Sequence, residues 1–248
     1  MYGWRGKLGL LVPANNTVIE PELGRILPMG TALFSTRMIV EGAFDAQALH
    51  RMETQTSRGT EELLMSQVDM IAYSCMSTSL AKGKQWDESF QERLPGKLVR
   101  ITTAAQCTTS ALLSLNIKNV AILTPYPAAI QSLVAPYFQE WGLNPVSLES
   151  LDIDDYHAVT RVTPESVYRA VKSMDIKDAE AVCILATDLR TIEVITPLED
   201  DLGIPVVSTN LAMCWSFIKN MGIRDPQFKP DCRLMRVDHI LPKCMRRG

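Results

Sequence analysis

The chain repeats itself, and the repeat limits its fold more than any single motif does. GKLGLLVP (6–13) resembles KNVAILTP (118–125), 112 residues later. At the same offset VDMIAYSCMST (68–78) meets EAVCILATDLR (180–190). ITTAAQCTTSALLSLNI (101–117) then aligns with VSTNLAMCWSFIKNMGI (207–223) at an offset of 106. Each half holds, in order, a strand ending in Pro, a strand ending in a hydroxyl-rich turn, and a strand ending in Ser/Thr-Thr before a helix. Three matches in one order point to a duplication.

Within each half, short apolar runs bounded by turn residues read as strands. They are Lys7–Val12, Ala32–Phe34 running to Val40, Met70–Tyr73, Leu98–Ile101, Val120–Leu123, Val146–Leu151, Ala181–Leu185 and Pro205–Val207. Helical patterns alternate with them over Ala46–Val68, Ala104–Leu115, Ala128–Trp141 and Pro164–Met174. Alternating strands and helices imply mostly parallel sheets covered on both faces. The expected fold is therefore α/β: two pseudo-symmetric open parallel-sheet halves with the active site in the cleft between them. The N-terminal half is 1–117, to which the C-terminal segment could return. The C-terminal half is 118–224, and 225–248 is an arm that fits neither repeat. No Gly-rich dinucleotide or phosphate loop follows a strand, so no cofactor is expected.

A net charge of −3 gives no electrostatic attraction to nucleic acid or anionic membrane. No apolar run reaches the roughly 18 residues needed to span a bilayer. The first 17 residues lack a signal-peptide pattern, which predicts a cytoplasmic protein. The six cysteines form no CxxC pair and none has His at a zinc-finger spacing, so free thiols and no metal are expected. Cys107, Cys183 and Cys214 sit in apolar patterns and read as buried filler. Cys232 and Cys244 fall in the arm and receive no role. His50, His157 and His239 are scattered and read as structural or surface residues.

Ligands of open α/β sheets bind beyond the C-terminal strand ends. The duplication gathers there Pro13–Thr17, Cys75–Thr78, Pro125-Tyr126, Thr187-Asp188 and Ser208–Asn210, a set rich in small hydroxyls and amides. Helix N-termini after such turns offer free N–H groups to a carboxylate or a thiolate.

The segments PANNTVIEPE (13–22), YSCMSTS around Cys75, LTPY (123–126) and the Thr187 turn together resemble the aspartate/glutamate racemase superfamily. The likeness runs over roughly residues 5 to 223 and is strongest to the branch of maleate cis–trans isomerase, arylmalonate decarboxylase and the ectoine-utilisation proteins. The resemblance implies cofactor-independent chemistry on a small carboxylate held between two cysteines, one from each half, in a homo-oligomer. The first cysteine is Cys75. The second position is Thr187, a departure, because a threonine hydroxyl cannot act as a thiol-like acid or base near neutral pH.

One cysteine still permits chemistry. As a thiolate, Cys75 could add to a small unsaturated dicarboxylate, let the adduct rotate, and leave to give the trans isomer. The proton would come from water, Tyr126 or another group. Alternatively, an apolar pocket could drive CO2 from a malonate, with Cys75 protonating the enediolate from the face opposite to that used by a second-half cysteine. A silent carboxylate-binding protein, or a partner subunit of a degradative enzyme, is the alternative outside catalysis. A catalytic Cys75 should carry a depressed pKa or react fast when accessible.

Cys75, Thr187 and Tyr126 are thus the catalytic candidates. Asn16, Thr17, Met76, Ser77, Thr78, Asp188, Ser208 and Thr209 are the candidates for substrate binding. The hydroxyl and amide residues among them could instead cap helices. Arg190 is either a clamp on a second carboxylate or a surface partner of Asp188 or Glu193. Glu20 and Glu22 are expected in the first turn of a helix, favouring its dipole.

Overall fold

The computed structural model describes residues 2–40, 46–224 and 230–238. Its strands are β1 (Gly6–Pro13), β2 (Thr31–Met38), β3 (Met70–Tyr73), β4 (Arg100–Thr103), β5 (Asn119–Thr124), β6 (Asn144–Ser150), β7 (Ala181–Ile184) and β8 (Val206–Ser208). They form two four-stranded parallel sheets, ordered β2-β1-β3-β4 and β6-β5-β7-β8. The second order is the first one repeated, so the duplication read in the sequence is a duplication of topology.

The central strands β3 (MIAY) and β7 (AVCI) are buried at every residue. Parallel strands with helices on both faces require such continuous apolar runs. The edge strands β2 and β6 are half-exposed and more polar. The helices are α1 (Ile19–Ile26), α2 (Ala46–Glu53), α3 (Thr56–Met65), α4 (Met76–Lys82), α5 (Lys84–Glu88), α6 (Ala104–Ser114), α7 (Ala128–Gln131), α8 (Val134–Glu140), α9 (Tyr156–Val159), α10 (Pro164–Ser173), α11 (Ile195–Leu202) and α12 (Thr209–Asn220).

The helices that follow the fourth strand of each half, α6 and α12, pack against one another and join the halves through one continuous core. Their starts are set alike. Thr103 and Gln106 form a reciprocal capping box on α6, and the Ser208 hydroxyl accepts from the Leu211 N–H at 3.3 Å on α12.

Two expected helices are broken. The run over 46–68 divides at Thr54-Gln55, because the Gln55 amide turns away to bond both the N–H and the carbonyl of Ile39, each at 2.8 Å. The run over 128–141 divides at Ser132-Leu133. Pro136 would clash with the carbonyl of Ser132 in a continuous helix, and the restart places it in the first turn of α8, where it is tolerated. The fourth strand begins two residues later than its apolar run suggests, leaving Leu98 fully exposed. In the arm, Arg233 N–H donates to Glu199 at 2.9 Å and the Thr196 hydroxyl to the Asp231 carbonyl at 3.3 Å. The described part of the arm therefore packs on α11 and α12 of the second half. No helix among the described residues is long and apolar enough to cross a membrane.

Candidate active site

The strand ends of the two sheets face a shared cleft of about 490 Å³, including its open mouth. Pro13, Asn15, Asn16, Cys75, Met76 and Ser77 line it from the first half, and Tyr126, Thr187 and Asp188 from the second. Val40, Leu49, Met52 and Val159 form an apolar wall that the sequence does not announce. Leu49 and Met52 lie at helical spacing on α2 and look like ordinary core residues in sequence.

β3 ends at Tyr73, and Cys75 follows in extended backbone as the residue before α4. The Thr78 hydroxyl donates to the Cys75 sulfur at 3.3 Å, and the Tyr73 phenol donates to that hydroxyl at 2.9 Å. Burial pushes the Cys75 thiol up. Hydrogen bonds from the Thr78 side chain and from the Thr78 and Ser77 N–H groups pull it down, and the nearby Asp188 charge adds to the rise. The net direction is upward, so the resting group is a thiol. A depressed pKa is the mark expected of a catalytic Cys75, and the direction here is the opposite, because desolvation outweighs the donors at the start of α4; a thiol in this state needs a neighbouring base before it can act as a nucleophile.

Asn16 serves two purposes at once. Its carbonyl oxygen accepts from the N–H groups of Val18 and Ile19 at 2.9 and 3.1 Å, capping α1. Its amide donates to the Thr187 hydroxyl at 3.0 Å. Thr187 in turn donates to the Ser74 carbonyl at 2.9 Å. The hydroxyl at the position opposite Cys75 is therefore engaged as donor and as acceptor, holding the two halves together beside the cleft. Tyr126 is buried, and its phenol is pushed well above the usual tyrosine range by desolvation and by the charges of Asp188 and Cys75, with Ser77 partly offsetting them.

Asp188 is half-buried on the cleft wall, and desolvation pushes its carboxyl up to about 6. Between β7 and Asp188 the backbone does not enter a helix as it does after Cys75. Ala186 takes a φ of +92°, a conformation rare for a residue with a side chain. Among the described residues, no Lys, Arg or His lines the cleft, and no cluster of His, Cys, Asp and Glu could hold a metal.

Several candidates lie elsewhere. Thr17 is exposed beyond the cleft, because the Asn16 cap starts α1 and turns it outward. Thr78 stands behind Cys75 and positions its sulfur instead of lining the cleft. Ser208 caps α12, and Thr209 is wholly buried in the first turn of that helix, so neither reaches the cleft. Arg190 donates from Nε to the Val162 carbonyl at 3.0 Å, and Glu193 pairs with Arg25. Glu22 does more than favour a helix dipole. Nearly buried, it accepts from Asn210 at 2.7 Å and from the N–H groups of Thr191 and Ile192, joining α1 to the second half. Cys107, Cys183, Cys214 and Cys232 are all buried, as packing would have them.

The arylmalonate decarboxylase family matches residues 8–235 of the chain. A maleate isomerase of Geobacillus stearothermophilus is 25% identical over 232 residues, covering 88% of this chain and 92% of the relative. An arylmalonate decarboxylase of Bordetella bronchiseptica is 26% identical over 224 residues, covering 82% and 91%. Among solved structures, a Nocardia farcinica maleate cis–trans isomerase mutant, described with a covalently bound succinylcysteine intermediate, superposes with a TM-score of 0.86 at 23% identity over 94% of this chain and 99% of that one.

Proposed function

The chain belongs to the arylmalonate decarboxylase family, and from that premise we propose that it is a cofactor-independent isomerase of a small unsaturated dicarboxylate, acting through Cys75. The observation that carries this reading is the placement of Cys75. Its sulfur stands at the end of β3, facing a cleft walled by amide, hydroxyl and carboxyl groups of both halves. The sulfur adds to one alkene carbon, the carbon–carbon bond becomes single and rotates, and the sulfur leaves. The Asn15 and Asn16 side of the cleft and Ser77 offer hydrogen bonds to the carboxylates. The covalent cysteine adduct of the Nocardia relative supports the same order of events.

The test is a proton NMR time course with maleate in D2O, beside Cys75→Ala. Conversion to fumarate that the variant loses is the expected result. No turnover of maleate by the wild type overturns the isomerase reading.

A second reading rests on the apolar wall of Val40, Leu49, Met52 and Val159, which would accept an aryl or alkyl group. In that case phenylmalonate loses CO2, and Cys75 protonates the enediolate from the first-half face. The product then has the configuration opposite to that made by an enzyme whose cysteine stands in the second half. Both readings take the protein as a cytoplasmic homo-oligomer, and light scattering on purified protein tests the oligomeric part.

A further inference from the structure

Addition by Cys75, which rests as a thiol, needs a second group to take the sulfur's proton. When sulfur bonds one alkene carbon, the displaced electron pair settles on its neighbour. The bond between the two carbons is then already single; a proton taken up by that neighbour makes the adduct a stable thioether and must be lost again before elimination. Among the described residues, the cleft contains few groups that could do this. The Thr187 hydroxyl proton is committed to the Ser74 carbonyl, and its oxygen already accepts from Asn16. Tyr126 holds its proton more tightly than an ordinary tyrosine. Ser77 and Asn16 carry an alcohol and an amide, neither of which exchanges a proton usefully near neutrality. Asp188 remains. It lines the same cavity as Cys75 from the opposite half, and its charge is felt by both Cys75 and Tyr126.

We infer that Asp188 is the second acid–base group of this site, shuttling one proton between the Cys75 sulfur and the substrate carbon next to the one that bonds it. The inference rests on the isomerase reading. Cys75 enters as a thiol and Asp188 as a carboxylate. As the sulfur–carbon bond forms, the thiol proton passes to Asp188, and the alkene pair moves to the neighbouring carbon as an enediolate. Asp188 then protonates that carbon, giving a saturated thioether that rotates. In the return, Asp188 removes a proton from that carbon, the double bond re-forms, the carbon–sulfur pair returns to sulfur, and Asp188 reprotonates it. No proton or electron is gained or lost overall.

A carboxyl titrating at about 6 is suited to both halves of this exchange near neutral pH. Among the described residues, the titratable groups that feel its charge are Cys75 and Tyr126, neither of them cationic, and Arg190 is turned to the Val162 carbonyl through Nε.

The test compares wild type, Asp188→Asn and Asp188→Glu with maleate, measuring kcat, KM and the pH dependence of kcat. Asp188→Asn should lower kcat by about 10²–10⁴-fold, the range for a lost general acid–base. It should leave KM and succinate affinity equal or improved, since it removes a negative charge facing a dianion. The wild-type loss of kcat below pH about 6 should vanish in Asp188→Asn. The substrate's own ionisation is common to both proteins and drops out of the difference. Asp188→Glu should regain part of the rate and keep an acid limb. Asp188→Asn with kcat within about threefold of wild type and the same acid limb overturns the inference and leaves the isomerase reading intact. If Asp188→Asn fails to bind succinate, Asp188→Glu decides: loss of its acid limb overturns the inference, and retention supports it. A wild type that does not isomerise maleate overturns both.

Discussion

The two halves share a strand order and differ at one turn. After β3 the chain passes through Cys75 in extended backbone and enters α4 at once. After β7 it passes through Ala186 with φ +92°, then Thr187 and Asp188, and reaches α11 only at Ile195. The first turn aims a thiol at the cleft with N–H groups behind it. The second ties its hydroxyl into the seam between the halves and presents a carboxyl instead. A duplicated scaffold can thus keep the position of a site while each copy fills it with different chemistry.

The sharpest way to break this comparison is to empty both positions separately. Cys75→Ala should lower turnover at least about 10³-fold, because it removes the bond-forming atom. Thr187→Val should leave kcat within about tenfold, because its hydroxyl is occupied by Ser74 and Asn16 and carries no proton to the substrate. Steady-state rates on maleate give both numbers. An equal loss in the two variants would restore a symmetric, two-sided role.

The seams between the halves offer the next contrast. Both use a buried carboxyl from the first half. Glu22 is met by Asn210 and two N–H groups, and Asp87 by the hydroxyls of Tyr137 and Ser79. Asp87 is pushed up to about 6 by desolvation, from an ordinary value of 3.8. The folded state therefore holds this proton more tightly than the unfolded chain. The group favours folding below pH 4, and that contribution fades as pH rises through 6. A shift of roughly two units corresponds to about 3 kcal/mol. Denaturant unfolding at pH 4 and pH 7 should show wild type losing about that much relative to Asp87→Asn over the interval. A parallel pH dependence in the two proteins would show that the latch titrates normally.

Much of this architecture is legible in the amino-acid sequence. The offset repeats imply the two sheets, and strand ends place Cys75, Asn16, Tyr126, Thr187 and Asp188 at one cleft, because parallel strands end on the same side. What escapes is what needs two halves in contact. Glu22 reads as a helix-dipole residue until Asn210 is seen beside it. Leu49 and Met52 read as core until their helix is found over the cleft. The Ser208 and Thr209 hydroxyls resemble Ser77 in sequence but begin a helix that sits in the core between the sheets, so they turn away from the cleft. The thiol pKa runs against expectation for the same reason: donors at a helix start are visible in sequence, and desolvation is not.

Thr187→Val tests the seam a second way. The substitution removes a buried hydroxyl and leaves the Ser74 carbonyl without that donor and the Asn16 amide without that acceptor. Each unsatisfied buried group costs about 1–3 kcal/mol, offset by the added apolar contact of the valine methyl. A net loss of about 1–3 kcal/mol is expected in urea unfolding, with no change in the pH dependence of kcat. A variant as stable as wild type would mean that water replaces the hydroxyl and that the bridge contributes little.

The smallest effect concerns the backbone that separates the two turns. Ala72 in β3 and Ala186 after β7 are equally buried, each about 1% exposed. Replacing a buried alanine by glycine loses a methyl, about 0.8 kcal/mol, and frees the unfolded chain by a further 0.4–1 kcal/mol or so. Ala72→Gly should therefore cost about 1–2 kcal/mol. At Ala186 the same losses apply, but glycine also relieves a φ of +92° that costs a non-glycine residue roughly 1–3 kcal/mol. The two contributions nearly cancel, so Ala186→Gly should shift stability by less than about 1 kcal/mol. Equal costs at the two positions would mean that Ala186 is unstrained, and that the second turn differs from the first in the path of its backbone without storing energy in it.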